Sequence, residues 1–165
     1  MTKVFLGLGS NIGNRKENLF AALSFLESSN EAQIEKISSI YETSPIGPKQ
    51  KKFYNMVIEI FTSLNCFDLL KLIKDIEHEM GRKKTIRWGK RNIDIDILFF
   101  GNEKIKTKNL IIPHKEILNR LFTLVPLAEI SPNFIYPKSN KTIKTILNEK
   151  LLLLKNQKIK TLNFF

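Results

Sequence analysis

Cysteine is almost absent from this sequence of 165 residues, since Cys66 is the single example. One cysteine can form neither an internal disulfide nor a cysteine-rich metal site, so the sequence gives no indication of a disulfide-stabilised fold or of thiol redox chemistry. Cys66 stands at the predicted start of a helix, and we expect it to be a small, partly buried residue rather than a nucleophile.

Long apolar runs are also missing. No stretch approaches the roughly 18–20 residues that a bilayer-spanning helix needs. The N-terminus enters the sequence VFLGLGS without the charged, apolar and small-residue pattern of a signal peptide. We therefore expect no membrane association and a cytoplasmic location. With 42% hydrophobic residues, the chain is predicted to form a single domain over residues 1–165 and to be a monomer.

Two familiar phosphate-binding loops are absent as well. Gly7 and Gly9 begin a G-x-G pattern, but Ile12 stands where the third glycine of the dinucleotide-binding fingerprint belongs, and no Walker A sequence occurs. Neither Rossmann nor Walker chemistry is supported. We expect the glycines of GLGSN to let the end of a strand turn tightly beside a ligand or a helix.

Arginine is scarce in a chain that is otherwise strongly basic. The net charge is +11, yet only five of the 27 basic residues are arginines. Lysine, isoleucine and asparagine are all used heavily, which codon bias towards A and T produces without selection for nucleic-acid binding. We therefore expect no nucleic-acid partner, and the arginines are the cations to examine for function. They are Arg15, Arg82, Arg87, Arg91 and Arg120.

What the chain does contain is a strand with two acids on one face. Isoleucine and aspartate alternate after Ile93, and a period of two places the apolar residues from Ile93 to Phe99 on one side and Asp94 and Asp96 on the other. The two Cα atoms are then about 6.5 Å apart. Carboxylates that converge from this spacing can hold one hard cation or bridge two, and such oxygen ligands favour magnesium.

A dense cationic loop precedes this strand, interrupted by Trp88 and the turn-forming Gly89. Arginine forks onto phosphate oxygens and tryptophan offers a stacking face, so this loop beside two acids favours a nucleoside triphosphate bound with magnesium. Two simpler interpretations stay open here. The acids could be only the solvated face of a half-buried strand, and the loop could bind nucleic acid or nothing. Its basic residues are Arg82, Lys83, Lys84, Arg87, Lys90 and Arg91.

Periodicity predicts six main elements. In order, they are a strand at 4–9, a helix from 15 to about 28, strands at 33–43 and 53–62, a helix at 66–80 and a strand at 93–99. Asn14 with Glu17 forms a capping-box pattern at the start of the first helix, and Gly81 suits a left-handed cap after the second. Two prolines and a glycine predict a long polar loop at 44–52.

This order of elements is the split βαβ arrangement of ferredoxin-like α+β folds, in which two helices cover one face of a mainly antiparallel sheet. The other face is expected to be open to ligands. Segment 102–107 could add a short strand, and segment 115–129 a helical stretch interrupted at Pro126. We expect the Lys-rich tail, with its leucine run at 151–154, to form a terminal helix that docks on the body.

Five spaced motifs occur together and in order. They are GLGSN at 7–11, YETSPIG at 41–47, FYN at 53–55, RWG-x-R-x2-D-x-D at 87–96 and PH-x5-R-x-F at 113–122. With these motifs the chain resembles the 6-hydroxymethyl-7,8-dihydropterin pyrophosphokinase family of folate biosynthesis. The resemblance runs from about residue 3 to 148, leaves the tail at 150–165 outside, and implies the same ferredoxin-like fold.

The resemblance implies transfer of pyrophosphate from ATP to the hydroxymethyl oxygen of the pterin, with release of AMP and with two Mg²⁺ ions. The implied catalytic residues are Arg82, Lys84, Arg91, Asp94 and Asp96, of which the two aspartates would hold the metal ions. The residues implied for ATP binding are Glu77, Trp88, Ile97, His114 and Arg120. The residues implied for pterin binding are Thr43, Ile46, Phe53, Asn55 and Phe122, with the pterin ring between the two phenylalanines.

Some features depart from this picture or compete with it. Lys84 stands where many family members have an arginine, so the forked phosphate contact is lost. Glu77 and Glu79 lie in a last helical turn, where negative charge is unfavourable, which indicates another purpose for at least one of them.

Two alternatives to this function remain. A ferredoxin-like RNA-binding module would carry strand aromatics in an RNP-type sequence, which is not found, and another phosphoryl transferase would need a different acceptor pocket.

Overall fold

The computed structural model describes residues 1–81 and 91–162. The helices are α1 (Arg15–Ser28), α2 (Cys66–Glu79), α3 (Leu121–Ile130) and α4 (Ile143–Lys150), with a 3-10 helix at Ile117–Asn119. The strands are β1 (Thr2–Ser10), β2 (Ala32–Ile37), β3 (Ile40–Thr43), β4 (Phe53–Thr62), β5 (Asp94–Phe100), β6 (Ile105–Lys106), β7 (Ile111–Ile112) and β8 (Ile159–Leu162). Within these residues, no helix is both long and apolar enough to cross a membrane.

Six of the described strands form one sheet in the order β5-β1-β4-β3-β8, with β2 also paired to β4. Every pairing is antiparallel. The predicted α+β class is confirmed, because helices pack on a mainly antiparallel sheet, and the order of strands is compatible with a split βαβ topology. Strand β5, which carries the two acids, therefore lies beside β1 and at an edge of the described sheet.

The segment predicted as one strand at 33–43 forms two strands instead. β2 and β3 both pair with β4, and the chain leaves the sheet between them at Ser38 and Ser39. The Ser38 hydroxyl accepts a hydrogen bond from the Val57 backbone N–H at 2.9 Å, and the Ser38 N–H donates to the Val57 carbonyl at 2.9 Å. The side chain thus takes over part of the pairing where the strand is interrupted.

The predicted helix ends are confirmed by their caps. Asn14 accepts a hydrogen bond from the Glu17 N–H at 3.1 Å, and Asn65 accepts from the N–H groups of Phe67 and Asp68. Gly81 has a φ of 78°, which is the left-handed conformation expected after the last turn of α2. These short-range hydrogen bonds satisfy N–H groups that the first helical turn cannot pair internally.

The sheet is covered on both faces, so the prediction of an open second face was wrong. Helices α1 and α2 pack with one face in a large apolar cluster that includes Leu6, Leu23 and Ile73. On the other face, α3 and α4 pack over Phe5 and Val57 in a second cluster. Cys66 is buried as the first residue of α2, as predicted.

A bulge alters the predicted faces of β5. The pairing with β1 shifts register between Phe5 and Leu6. Ile97, before the bulge, belongs with Ile95 to the cluster under α1 and α2. Phe99, beyond the bulge, belongs to the cluster under α3. Phe99 therefore does not share a face with the isoleucines, as strict alternation predicted, because an extra residue in one strand reverses the alternation beyond it.

Two expectations for the C-terminal half also differ from the structure. Pro126 lies inside α3 rather than interrupting it. Because proline has no N–H, the helix loses only the hydrogen bond that residue 126 would otherwise donate to the Phe122 carbonyl. The tail does not end in a helix that uses the leucine run. Helix α4 ends at Lys150, Leu151 to Leu153 are exposed, and the chain then adds strand β8 to the edge of β3.

Candidate functional site

A cavity of about 310 Å³, called the site cavity below, opens between the ends of β1, β3, β4 and β5 and the start of α3. It collects residues from six separate stretches of sequence. Ten of the residues singled out by sequence line it: Thr43, Ile46, Phe53, Asn55, Arg91, Asp94, Asp96, His114, Arg120 and Phe122. The chain thus brings together the predicted acids, cations and aromatic side chains in one place.

The other five predicted residues divide into two groups. Arg82, Lys84 and Trp88 lie outside the described residues. Glu77 and Ile97 are buried, at 3% and 4% exposure, and neither lines the site cavity. The remaining members of the cationic loop, apart from Arg91, also fall in the segment that the structure does not describe.

Glu77 supports the acid-bearing strand from below. Its Oε2 atom accepts a hydrogen bond from the Ile95 backbone N–H at 3.0 Å, and its Oε1 atom pairs with Lys74 at 3.2 Å. Ile95 lies between Asp94 and Asp96, so this contact fixes the backbone from which both carboxylates project. The structure therefore gives Glu77, rather than Glu79, a second purpose at the end of α2.

Asp94 and Asp96 form the anionic end of the site cavity. Burial and the neighbouring Asp94 together raise the pKa of Asp96 to about 7, although Arg120 acts to lower it. Two carboxylates that repel in this way suit a divalent cation, whose charge would relieve the repulsion. Within the described residues there is no group of three or more His, Cys, Asp or Glu side chains suited to a metal. The two aspartates fit magnesium, which often takes one or two carboxylates together with phosphate and water.

His114 and Arg120 lie beside Asp96. The Oδ2 atom of Asp96 is 3.8 Å from His114 Nε2 and 4.0 Å from Arg120 Nη1. Burial and the charge of Arg120 lower the pKa of His114 to about 4, so the ring is neutral near pH 7. His114 Nδ1 accepts a hydrogen bond from the Glu116 N–H at 3.1 Å, which leaves the ring proton on Nε2. The site thus offers a neutral donor and a fixed cation to an anionic ligand.

The opposite end of the site cavity has a polar pair on neighbouring strands. Asn55 in β4 is 7% exposed and donates a hydrogen bond from Nδ2 to Thr43 Oγ1 in β3 at 2.7 Å. A Cβ atom added to Gly9 would lie 2.6 Å from Asn55 Oδ1. Gly9 is part of strand β1, so the close approach of Asn55 explains the glycine, and the tight turn expected at the strand end was wrong.

Aromatic rings complete this end. Phe53 begins β4, Phe122 lies in the first turn of α3, and both line the site cavity. The Arg120 guanidinium lies 5.3 Å from the centre of the Phe122 ring, within cation–π range. The cavity therefore changes from charged to aromatic over a short distance, which suits a ligand that joins phosphates to a flat heterocycle.

Sequence reasoning missed several residues here. Lys74 and Lys115 line the site cavity. Lys74 stands three residues before Glu77 on α2, and this helical spacing was a signal that could have found it.

Asn11 was quoted only as part of GLGSN, yet it joins the two loops beside the site. Its Nδ2 atom donates to Gln50 Oε1 at 2.8 Å and to the Lys51 carbonyl at 3.0 Å. Its Oδ1 atom accepts from the Arg91 N–H at 2.8 Å, and its own N–H donates to the Arg91 carbonyl. The last residues of the loop at 44–52 are thus tied to Arg91, the last basic residue of the cationic loop. No local pattern could reveal contacts across such separations.

The family model for 7,8-dihydro-6-hydroxymethylpterin-pyrophosphokinase (HPPK) matches residues 5–132 of this chain. A Bacillus subtilis protein named 2-amino-4-hydroxy-6-hydroxymethyldihydropteridine pyrophosphokinase is 50% identical over 127 residues, which cover 76% of each chain. A protein of the same name from Aquifex aeolicus is 44% identical over 153 residues, which cover 92% of this chain and 94% of the relative.

Solved structures support the fold. An HPPK-DHPS protein crystallised in complex with substrates matches with a TM-score of 0.77 at 16% identity, over 94% of this chain and 44% of the other. The Plasmodium falciparum HPPK-DHPS variant A437G matches with a TM-score of 0.74 at 18% identity, over 94% and 46%. This chain therefore spans less than half of those larger proteins, and at such identity the likeness concerns architecture alone.

Proposed function

Because this chain belongs to the 7,8-dihydro-6-hydroxymethylpterin-pyrophosphokinase family, it transfers pyrophosphate from ATP to 6-hydroxymethyl-7,8-dihydropterin in folate synthesis, and we propose that the site cavity is where it does so. The products are the pterin diphosphate and AMP. One observation carries the assignment: the same cavity holds a pair of aspartates at one end and two phenylalanines with a buried asparagine at the other. A nucleic-acid-binding module is not supported by the relatives.

The aromatic end is proposed to bind the pterin. Phe53 and Phe122 would enclose its flat ring, since aromatic faces stack favourably on a planar heterocycle. Asn55 would read the polar edge of the ring together with main-chain groups near Thr43 and Ile46. The hydrogen bond from Asn55 to Thr43 supports this role, because it fixes the orientation of the amide before the ligand arrives.

The acidic end is proposed to bind ATP with magnesium. Asp94 and Asp96 would hold two Mg²⁺ ions, and the raised pKa of Asp96 supports this because a divalent cation would relieve the repulsion between the two carboxylates. When bound, such ions neutralise phosphate charge and help to align the oxygen that attacks and the oxygen that leaves.

The protein's part in the reaction is mainly to orient and to neutralise. The hydroxymethyl oxygen of the pterin attacks the β-phosphorus and releases its proton to solvent, and the bond from that phosphorus to the oxygen shared with the α-phosphate breaks as AMP leaves. Arg91 and Arg120 would contact the phosphates as cations, and His114 would donate its Nε2 proton as a hydrogen bond. Holding both substrates in one cavity makes the transfer effectively unimolecular.

Further residues of the proposal depend on the sequence. Arg82 is proposed to contact the ATP phosphates, Lys84 to take the place of the arginine that follows the transferred group, and Trp88 to line the nucleotide pocket. All three lie outside the described residues. Glu77 and Ile97 remain predicted neighbours of the nucleotide, although in the structure Glu77 is buried beneath β5 and Ile97, within β5, belongs to the cluster under α1 and α2.

Incubation with labelled ATP, magnesium and 6-hydroxymethyl-7,8-dihydropterin tests the function directly. We expect AMP to form in an amount equal to the pterin diphosphate, and only when the pterin is present. Formation of ADP would indicate a simple kinase, and nucleotide hydrolysis without the pterin would indicate a different acceptor. Either result would contradict the proposal.

We also propose that residues 1–165 act as one cytoplasmic, monomeric domain without nucleic-acid or membrane partners. The six-stranded sheet and the apolar clusters on its two faces support one domain. Sedimentation of the purified chain at several concentrations measures the association state. A dimer that persists on dilution would contradict the monomer.

A further inference from the structure

The C-terminal tail extends the sheet beside the site cavity. The family model ends at residue 132, yet the chain continues as β8, in which Ile159 pairs with Thr43. Just before this strand, the Ser44 N–H donates to the Lys158 carbonyl at 3.1 Å, and the Lys158 N–H donates to Ser44 Oγ at 3.2 Å. The tail therefore holds the wall of the cavity to which Thr43 and Ser44 belong.

Gln157 holds the opposite wall. Its Oε1 atom accepts a hydrogen bond from the Leu121 N–H at 2.8 Å, and its Nε2 atom donates to the Asn119 carbonyl at 2.7 Å. Leu121 is the first residue of α3, and Arg120 at the N-cap makes no side-chain capping hydrogen bond. N–H groups in a first helical turn lack partners within the helix. Gln157, from another part of the chain, supplies such a partner to the N–H of Leu121, the residue directly before Phe122.

The two ends of α3 are joined to the β3 region by different side chains. Near its C-terminal end, Glu129 accepts a hydrogen bond from the Tyr41 hydroxyl at 2.5 Å and others from Ser39. At its N-terminal end, the link runs through Gln157 and the next residue, Lys158, to Ser44. Loss of the Gln157 contacts would leave the Phe122 end of the helix without this link, while Glu129 keeps the other end in place.

We propose that Gln157 is a positioning residue for the pterin end of the site cavity. Its amide holds the backbone on both sides of Arg120 and so sets where Phe122 stands relative to Thr43. The inference rests on the proposed function, because that function assigns these two walls to the pterin. It adds a specific task for the tail, which lies beyond the matched family segment.

Three variants test the role. Gln157→Ala removes both hydrogen bonds, Gln157→Glu keeps the acceptor for Leu121 but places an oxygen against the Asn119 carbonyl, and Asn156→Ala is a neighbouring exposed control. Equilibrium titrations give Kd for the pterin and for ATP with magnesium. We expect Gln157→Ala to raise the pterin Kd about tenfold, through loss of the two hydrogen bonds that hold the start of α3, and to raise the ATP Kd by a smaller factor. Gln157→Glu should lie between, and Asn156→Ala should match the wild type.

A second measurement separates positioning from general destabilisation. Hydrogen exchange at the Leu121 amide should accelerate in Gln157→Ala, while exchange in β1 and β4 should stay at the wild-type rate. An unchanged pterin Kd, or equal losses for pterin and ATP, would overturn the proposal. If Gln157→Ala does not fold, the same criteria apply to Gln157→Glu.

Phe122→Ala distinguishes failure of this inference from failure of the proposed function. If Phe122→Ala weakens pterin binding and Gln157→Ala does not, the cavity is the pterin site and Gln157 has no positioning role. If Phe122→Ala leaves pterin binding unchanged, the assignment of the cavity fails and the role of Gln157 fails with it.

Discussion

At the scale of single residues, Asp94→Asn and Asp96→Asn each remove one carboxylate ligand and one negative charge from a strand face that carries little of the core. We expect either change to lower the rate of AMP formation by about a hundredfold or more, because a bound metal contributes several kcal/mol to stabilising charge in the transition state. Asp75→Asn, on the exposed side of α2, is the matched control and should keep full activity. Near-normal rates in both site variants would exclude the metal role.

A second residue-scale prediction concerns the glycines of β1. Gly9→Ala would place a Cβ atom 2.6 Å from Asn55 Oδ1, which forces the amide to move, whereas Gly7→Ala would meet Leu98 at 3.4 Å, close to ordinary contact. We expect Gly9→Ala to raise the pterin Kd about tenfold through the displaced Asn55 hydrogen bond. Gly7→Ala should change it much less. Equal pterin affinities in the two variants, measured by titration, would show that Asn55 does not read the ligand.

At the scale of secondary-structure elements, Glu77 joins α2 to the edge strand β5. Glu77→Ala leaves the buried Ile95 N–H without this acceptor, which should lower the free energy of unfolding by about 1–3 kcal/mol. Glu79→Ala, on the same helix but exposed, should change it by less than about 0.5 kcal/mol. Urea unfolding of both variants measures the difference. If the two lose equal stability, the contact with Ile95 does not support β5.

At the scale of the whole molecule, the acids of the site cavity couple global stability to pH. The pKa of Asp96 is about 7 in the folded protein because of burial and Asp94, against about 3.9 for an unfolded aspartate. The folded state thus holds this proton more tightly, and the contribution of Asp96 to stability falls as the pH rises from about 4 to about 7. His114, whose folded pKa of about 4 lies below its usual value, has the opposite slope, since its contribution is lost as the pH falls from about 6.5 towards 4.

The difference between wild type and Asp96→Asn isolates the first of these effects. In EDTA, we expect Asp96→Asn to gain stability relative to the wild type as the pH rises from 4 to 7, measured by urea unfolding at each pH. Magnesium should reduce this difference in the free energy of unfolding, because it stabilises only the wild type. A constant difference across this range would mean that Asp96 titrates near its usual value.

The sequence by itself determined the features that depend on neighbouring residues. Alternation over Asp94 and Asp96 placed both acids on one strand face, and Asn14 and Gly81 marked helix ends that the structure confirms. Ten residues that line the site cavity could be named because they stand in short motifs that resemble those of a known family. Periodicity and caps act within a few residues, so a linear pattern is enough to reveal them.

Only the tertiary structure decided which distant segments meet. The break at Ser38, the bulge that turns Phe99 to the other face and the addition of β8 each depend on the register of a partner strand, which no local pattern specifies. The same holds for Asn11 and Gln157, whose partners lie about 36 to 80 residues away in sequence. Hydrogen bonds of this kind form only after the apolar clusters have brought the segments together, because packing rather than sequence separation sets the distance between their atoms.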